Sequence, residues 1–453
     1  MISVRLNELT EILGLPAPQR DAVIGSIVTD SRKVDHGSLF AALPGSQVDG
    51  HDFAAKAADM GATALLVSRT LDLDVPQLQV PDVLSALGKI ARMLRVKQNP
   101  MVVGITGSNG KTTVKEMLAS ILRQDTGHEN TVLATQGNYN NELGVPLTLF
   151  RLSARHQYAV MEMGASKAGD IAYLAGIARP DIGVVTNIGP AHLEGFGSIE
   201  GVAAAKGEMF AALPESGCAI LNGDQSWLSL WRGINQAGRE ITFGEGADND
   251  VCIIDDGERT RLRTPVGEIE LELTLPGKHN LVNAAAAAAA AIALDVPLES
   301  IRLGLHAVQP VPGRLNLIRV GSGWTVIDDT YNANPASLYS ALQVLAQMQG
   351  RAWLVLGDMK ELGEDSRKLH SEVGDAARSL GVERVYATGE LAEFTVDAFG
   401  EGAQHFAAQS ELIESLKQDL RPGINCLVKG SRSMGMEHVV EAIVAARKMR
   451  EAC

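Results

Sequence analysis

Aromatic residues are scarce in this chain. They make up 4% of 453 residues, so any core must be built mainly from Ala, Val, Leu and Ile. Cysteine is scarcer still. Cys218, Cys252, Cys426 and Cys453 lie far apart, and no pair has metal-ligand or redox spacing. That excludes a disulfide framework and a cysteine zinc site, and a reducing compartment is expected. Long apolar runs are missing too. The longest, Ala284 to Leu294, falls short of the ~20 residues that span a bilayer. The first residues, Met1-Ile-Ser-Val-Arg-Leu-Asn-Glu-Leu, are polar and acidic where a secretory signal would be apolar, so a cytoplasmic protein is expected. Positive charge is in deficit, with 40 Lys and Arg against 54 Asp and Glu and a net charge of -14. Such a balance argues against a general nucleic-acid or membrane-surface binder. It leaves room for a small anionic substrate, because a local pocket can be basic on an acidic protein.

The length suggests about two to four domains. Three blocks emerge, all of α/β type: 1–82, 83–313 and 314–453. The first has short strand-like pieces at Ser26 to Val28, Ser38 to Ala42 and Ala64 to Val67, and a helix from His51 to Met60. Leu73 to Pro81 reads as a strand and linker. In the second block, apolar strands (Val102 to Thr106, Tyr158 to Met163, Ile182 to Asn187) alternate with helical segments. This predicts a mostly parallel sheet with helices on both faces, with functional residues at the carboxyl ends of its strands. Arg261 to Leu275 alternates apolar with polar residues and predicts an antiparallel hairpin on that sheet. The alanines Ala284 to Ala291 predict a close-packed helix, since alanine is the best helix former. Pro310-Val-Pro-Gly-Arg314 has the composition of a hinge. Beyond it, Trp324 to Asp328, Ala352 to Leu356, Arg384 to Ala387 and Asn425 to Val428 predict a smaller, Rossmann-like α/β unit.

The most informative stretch is Gly104-Ile-Thr-Gly107-Ser-Asn109-Gly110-Lys111-Thr112-Thr113. It resembles the phosphate-loop pattern G-x-x-x-x-G-K-[ST], with five residues rather than four between the outer glycines. A strand leads in and a helical pattern leads out. Glycines let backbone N–H groups turn toward phosphate oxygens, and the helix N-terminus adds positive potential. Lys111 can reach the outer phosphates and the Thr112 hydroxyl can hold Mg²⁺.

Other candidates follow strand ends. Glu162 is placed for Mg²⁺, directly or through water, or for a helix cap or salt bridge. His192 is a loop histidine or a second metal ligand. Lys206, on an alanine-rich helix, carries no signal alone. Lys278-His279-Asn280 can cap a helix or meet a nucleotide base. Asp329 can face a nucleotide or belong to an Asn/Pro turn. Lys429, Ser431 and Arg432 can hold a carboxylate or phosphate, or form a solvated basic turn.

Together these segments resemble the Mur ligases, ATP-dependent amide-forming enzymes of cell-wall synthesis, over essentially the whole chain. Thr106-Gly-Ser-Asn-Gly-Lys-Thr-Thr113 is similar to the family's own ATP loop. Gly277-Lys-His-Asn-Leu-Val-Asn283, Pro312-Gly-Arg314 and Asp329-Thr-Tyr-Asn-Ala-Asn-Pro335 are similar to its nucleotide, hinge and third-domain motifs. Gly137-Asn-Tyr-Asn-Asn-Glu-Leu-Gly144, Glu162-Met-Gly-Ala-Ser166 and Gly357-Asp358-Met-Lys-Glu361-Leu-Gly363 resemble the branch that adds a dipeptide.

The resemblance implies addition of D-alanyl-D-alanine to UDP-MurNAc-tripeptide through an acyl phosphate. It also implies that a small N-terminal domain binds the uridine precursor. Thr112 and Glu162 would bind one Mg²⁺ and His192 a second. Lys206 would carry a CO₂-derived carbamate. Gly107, Asn109, Gly110, Lys111, Thr113, Asn280, Arg314 and Asp329 would contact ATP, with Lys111, Lys206, His192 and Arg314 in catalytic roles. Ser31 and Arg32 would hold the uridine nucleotide, and Asn138, Asn140 and Asn141 the peptide. A monomer acting on small molecules is expected. The alternatives are a sister ligase that adds one amino acid, or a non-catalytic module that holds the UDP precursor.

Overall fold

The computed structural model describes residues 3–45, 48–321 and 323–451, and for 446–451 the backbone alone. Cys453 and the first two residues lie outside it. The β-branched and leucine-rich runs near the N-terminus form a four-stranded parallel sheet: Ser26–Val28, Ser38–Ala41, Ala64–Val67 and Gln77–Gln79. The helix expected from His51 to Met60 splits into a 3-10 turn, Gly50–Phe53, and a helix, Ala54–Asp59. Helix Leu6–Leu13 and the two-stranded pair Val4–Arg5 and Val23–Ile24, none of them anticipated, complete this part.

The central sheet has nine strands. From edge to edge they are Gly267–Glu270, Thr260–Thr264, Val251–Asp255, Arg239–Gly244, Cys218–Asn222, Ile182–Val185, Met101–Thr106, Tyr158–Glu162 and Val132–Ala134. Seven run parallel, and the first two add antiparallel. The anticipated hairpin is present, although its second strand stops at Glu270 rather than Leu275. Helices Val83–Gln98, Asp170–Ala178 and Ile199–Ala211 bury one face. Lys111–Thr126, Lys278–Ala293 and Leu298–Ala307 bury the other. The alanine run lies inside Lys278–Ala293, and each alanine from Ala284 to Ala291 is fully buried. Gly304 allows a similar closeness: a Cβ there would lie 2.4 Å from Ile121 Cα.

The third sheet is Asn316–Val320, Trp324–Asp329, Ile424–Lys429, Arg351–Gly357, Arg384–Thr388 and Ala403–Phe406, parallel except for the first strand. Apolar clusters pack on both of its faces. The three-part α/β architecture inferred from sequence is thus present. Among the described residues no helix is long and apolar enough to cross a membrane.

Candidate active site

The register of the central sheet assembles the site. Ile105 pairs with Glu162, and Thr106 with Val185, so the phosphate-loop candidate, Glu162 and Thr186 emerge at one sheet edge. The loop then turns into helix Lys111–Thr126. Two glycines let it pass. Gly107 has φ +146°, and a Cβ there would come 1.9 Å from Thr186 Oγ1. Gly110 has φ +81°, and a Cβ would come 2.3 Å from Asn283 Oδ1. The loop is braced from behind by Asn187, whose main-chain oxygen accepts from Ser108 N (2.9 Å) and whose Oδ1 accepts from Asn109 N (3.0 Å). Thr186 Oγ1 donates to the Asn109 carbonyl. The first N–H groups of the helix have no partner within it, as at any helix start, and so offer donors to an anion.

Lys111 Nζ folds over the loop, donating to the carbonyls of Gly107 (2.7 Å) and Ser108 (3.2 Å). Burial, opposed by Glu162 and reinforced by Arg314, lowers its pKa to about 8. Thr112 is buried and donates its hydroxyl proton to Glu162 Oε2 (2.7 Å) while accepting from Arg314 Nη2 (2.7 Å). Asn140 Nδ2 donates to the other oxygen of Glu162 (2.8 Å). Arg314 also lies over the Tyr331 ring, 4.0 Å from its centroid, and its buried Nε has no partner among the described residues. A basic niche therefore exists on an acidic protein.

A cleft of about 1340 Å³ opens at this edge, between the second and third blocks, with Asp82 at its margin. Its walls carry Gly107, Asn109, Gly110, Lys111, Thr113, Asn280, Arg314 and Asp329, and also Glu162, His192 and Lys206. Asn138, Asn140 and Asn141 line it too, though Asn141 Oδ1 is engaged by Gly144 N (2.8 Å). Thr112 meets the wall through Glu162 and Arg314. Lys206 is 2% exposed, with its ammonium 5.6 Å from the Phe196 ring centroid. Burial first, then Lys111, lowers its pKa to about 7. His192 adopts φ +53°, and its Nδ1 lies 2.6 Å from Glu361 Oε2 of the third block. Burial holds its pKa below the usual imidazole range; Glu361 opposes this, while Lys111 and Lys206 reinforce it. Among the described residues no three His, Cys, Asp or Glu side chains form a metal cluster.

Other candidates stand differently from their sequence readings. Asn280 uses its amide internally: Nδ2 donates to the Pro276 carbonyl (2.7 Å) and Oδ1 accepts from Asn283 (3.1 Å). Lys429 is not a solvated cation. It is buried, ion-paired with Asp329 and bonded to the Asn332 carbonyl (2.9 Å). Ser431 Oγ accepts from Lys360 N (2.7 Å). Arg432 is exposed and paired with Glu437 (2.9 Å). Neither Ser431 nor Arg432 lines the cleft, and neither do Ser31 and Arg32. Ser31 is buried in the first block, and Arg32 is paired with Asp30 (2.8 Å). Gly313 is tied to the third block, donating to Asp328 Oδ2 (3.0 Å) and accepting from Tyr331 N (3.0 Å).

Sequence reasoning assigned no role to Asn187, Asn283, Tyr331, Asn334 or Glu361. Asn187, Tyr331, Asn334 and Glu361 lie at or just past strand ends, where polar residues were the available signal, whereas Asn283 lies on helix Lys278–Ala293. Asn334 Nδ2 donates to Asn109 Oδ1 (2.8 Å), a second contact between the third block and the loop.

His279, at the start of the alanine helix, has its pKa lowered to about 4 by burial and by Lys429, against an ordinary 6.5. The unfolded chain binds this proton near 6.5 and the folded chain only near 4. Stability is therefore full above pH 6.5 and declines as pH falls from 6.5 toward 4, by up to about 2 kcal/mol at pH 5. His279→Gln should flatten that part of a melting-temperature profile taken between pH 5 and 7.5. An unchanged slope would contradict the assignment.

Family models match along the chain: the "Mur ligase middle domain" at residues 105–291, the "Mur ligase, glutamate ligase domain" at 313–432, and the "Mur ligase family, catalytic domain" at 23–124. The chain is similar to the UDP-N-acetylmuramoyl-tripeptide–D-alanyl-D-alanine ligase of Escherichia coli (strain K12), at 44% identity over 98% of this chain and 99% of that protein. It is also similar to a crystal structure of MurF from Acinetobacter baumannii, with a TM-score of 0.90 and 35% identity over 98% and 99% of the two chains. A MurF ligase from Thermotoga maritima, solved in complex with ADP, matches with a TM-score of 0.83 and 30% identity over 94% and 98%.

Proposed function

The chain belongs to the Mur ligase family, and from that premise we propose that its cleft couples ATP cleavage to formation of one amide bond. The protein adds D-alanyl-D-alanine to UDP-MurNAc-tripeptide in peptidoglycan precursor synthesis, as an ATP-dependent ligase. Among the site's features, one supports this reading most directly. Arg314 of the third block donates to Thr112 of the phosphate loop, whose hydroxyl in turn donates to Glu162. On this reading one nucleotide site draws side chains from two blocks.

Three blocks divide the work. Residues 1–82, with Ser31 and Arg32, hold the uridine end. Residues 83–313 hold ATP and the peptide, the latter through Asn138, Asn140 and Asn141. Residues 314–453 close over the nucleotide with Arg314 and Asp329.

The terminal carboxylate of the tripeptide attacks the γ-phosphorus of ATP. ADP leaves and an acyl phosphate forms. The amine of D-alanyl-D-alanine then attacks the activated carbonyl. The tetrahedral adduct loses inorganic phosphate and a proton, giving the amide of UDP-MurNAc-pentapeptide. A carboxylate and a phosphate, both anions, must approach each other first. Lys111, Arg314 and the amides of the loop offset that repulsion. The acyl phosphate hydrolyses readily, so closure of the third block must exclude water.

The donor set fits divalent cations. Thr112 and Glu162 would hold one Mg²⁺, with oxygen ligands of the kind that ion prefers. His192 and an N-carboxylated Lys206 would hold a second. When bound, such ions neutralise charge on the phosphate oxygens. Lys206 suits carboxylation. Among the described residues it has no ion pair, it is buried, and with its pKa lowered to about 7 a large fraction is the free amine that adds CO₂. We take the protein to act as a monomer in the cytoplasm, where ATP is made.

The test is phosphate release from ATP and Mg²⁺ with UDP-MurNAc-tripeptide, with and without D-alanyl-D-alanine, followed by product mass. Release that needs both substrates, with the pentapeptide product, is expected. Turnover only with a single amino acid and a shorter precursor would move the protein to a sister ligase. Binding of the precursor without any turnover would make it a holding module.

A further inference from the structure

Among the described residues, three side-chain hydrogen-bonded or ion-paired contacts join the third block to the central site. Two of them, Arg314 to Thr112 and Asn334 to Asn109, reach the phosphate loop. The third is different: Glu361 Oε2 lies 2.6 Å from His192 Nδ1. Both residues hold left-handed backbones, φ +64° for Glu361 and +53° for His192, a conformation that side-chain-bearing residues avoid unless their surroundings impose it.

The surroundings of Glu361 do impose it. Just before it, Met359 N donates to Nε2 of the buried His370 (3.0 Å) and Lys360 N to Ser431 Oγ (2.7 Å). The buried Asp358 accepts from Leu391 N and Ala392 N (2.9 Å each) and from Lys360 Nζ (2.9 Å). Just after it, Leu362 is buried. A rigid, internally bonded turn therefore presents one carboxylate, itself 58% exposed, to one imidazole.

We propose that Glu361 is a positioning residue that makes the orientation of His192 depend on closure of the third block. The proposal rests on the ligase reading above, in which His192 serves a cation. A ring nitrogen facing a carboxylate carries the proton, which leaves the other nitrogen with its lone pair and fixes the plane of the ring. Since the carboxylate comes from the third block, His192 is held in this way only when that block is docked. Cation binding and closure then favour each other through a single contact.

The test compares full-length wild type, Glu361→Ala and Glu361→Gln. Small-angle scattering reports compaction on adding Mg²⁺, a non-hydrolysable ATP analogue and UDP-MurNAc-tripeptide. Ligation assays report the half-saturating Mg²⁺ concentration and the KM for the precursor. In Glu361→Ala the Mg²⁺ requirement should rise about 10–100-fold, the usual consequence of losing such a supporting partner. Compaction should weaken, while precursor KM and melting temperature stay as in wild type. Glu361→Gln keeps an acceptor oxygen and should recover most of both properties. Wild-type compaction and Mg²⁺ requirement in Glu361→Ala would overturn the proposal. So would a lowered melting temperature shared by both variants, which would mark a purely structural role. Failure of the ligase reading would show separately, as absence of ligation in wild type.

Discussion

Replacing Lys111 with Ala should abolish ligation while leaving the protein folded. The side chain sits at the first position of helix Lys111–Thr126, and its ammonium caps the carbonyls of Gly107 and Ser108. In the proposed reaction the same ammonium would serve as a cation for the transferring phosphate. Removing a positioned charge from a phosphoryl-transfer site costs about 10³-fold in kcat or more. The effect on stability is of another order. The substitution leaves two carbonyls with one partner fewer, yet it also removes a charge whose desolvation already lowers its pKa to about 8. These contributions oppose each other, and the net change should stay within about 1 kcal/mol. The checks are a ligation time course, a thermal melt and binding of the UDP precursor. Ligation within tenfold of wild type would remove Lys111 from the mechanism.

That result would bear on how much of the site can be read from the sequence. The phosphate loop and Glu162 were legible because each belongs to a local pattern: an apolar run that ends in glycines, and one that ends in an acid. The parallel sheet then sets them side by side through the Ile105 to Glu162 register. Arg314 was legible only through resemblance, since its contact with Thr112 joins residues 202 positions apart. Lys429 shows the limit most clearly. After a strand and before a glycine it read as a cation for a ligand carboxylate or phosphate, or as part of a solvated basic turn. In the third sheet Asp329 and Lys429 are direct partners on adjacent parallel strands, and no local pattern announces that register. A different cause hid two strands of that sheet. Asn316–Val320 and Ala403–Phe406 are edge strands whose residues are mostly half-buried or exposed, so their apolar signal is diluted. Glu361 was visible only as part of a motif. Its role depends on a turn held by His370, Ser431 and Asp358, and on a partner in another block.

Lys206→Met separates function from stability more sharply than any other substitution. The lysine is 2% exposed on helix Ile199–Ala211, and among the described residues its ammonium makes no ion pair or hydrogen bond. A buried ammonium without a partner is unfavourable. Lys111 nearby makes it more so, and Asp170 only partly compensates. Methionine has a similar length, fills the same space against Phe196 and carries no charge. The variant should therefore melt at the same temperature as wild type or a few degrees higher. Ligation should nevertheless fall by about 10³-fold, because the oxygen ligand that a carbamate would supply is gone. Native mass spectrometry supplies the independent reading: one CO₂ adduct on wild type in bicarbonate, and none on the variant. A stabilised variant that still ligates at a wild-type rate would make Lys206 a tolerated defect of packing rather than part of the machinery. A loss of activity together with a lost adduct would explain why an otherwise unfavourable buried amine stands at this position.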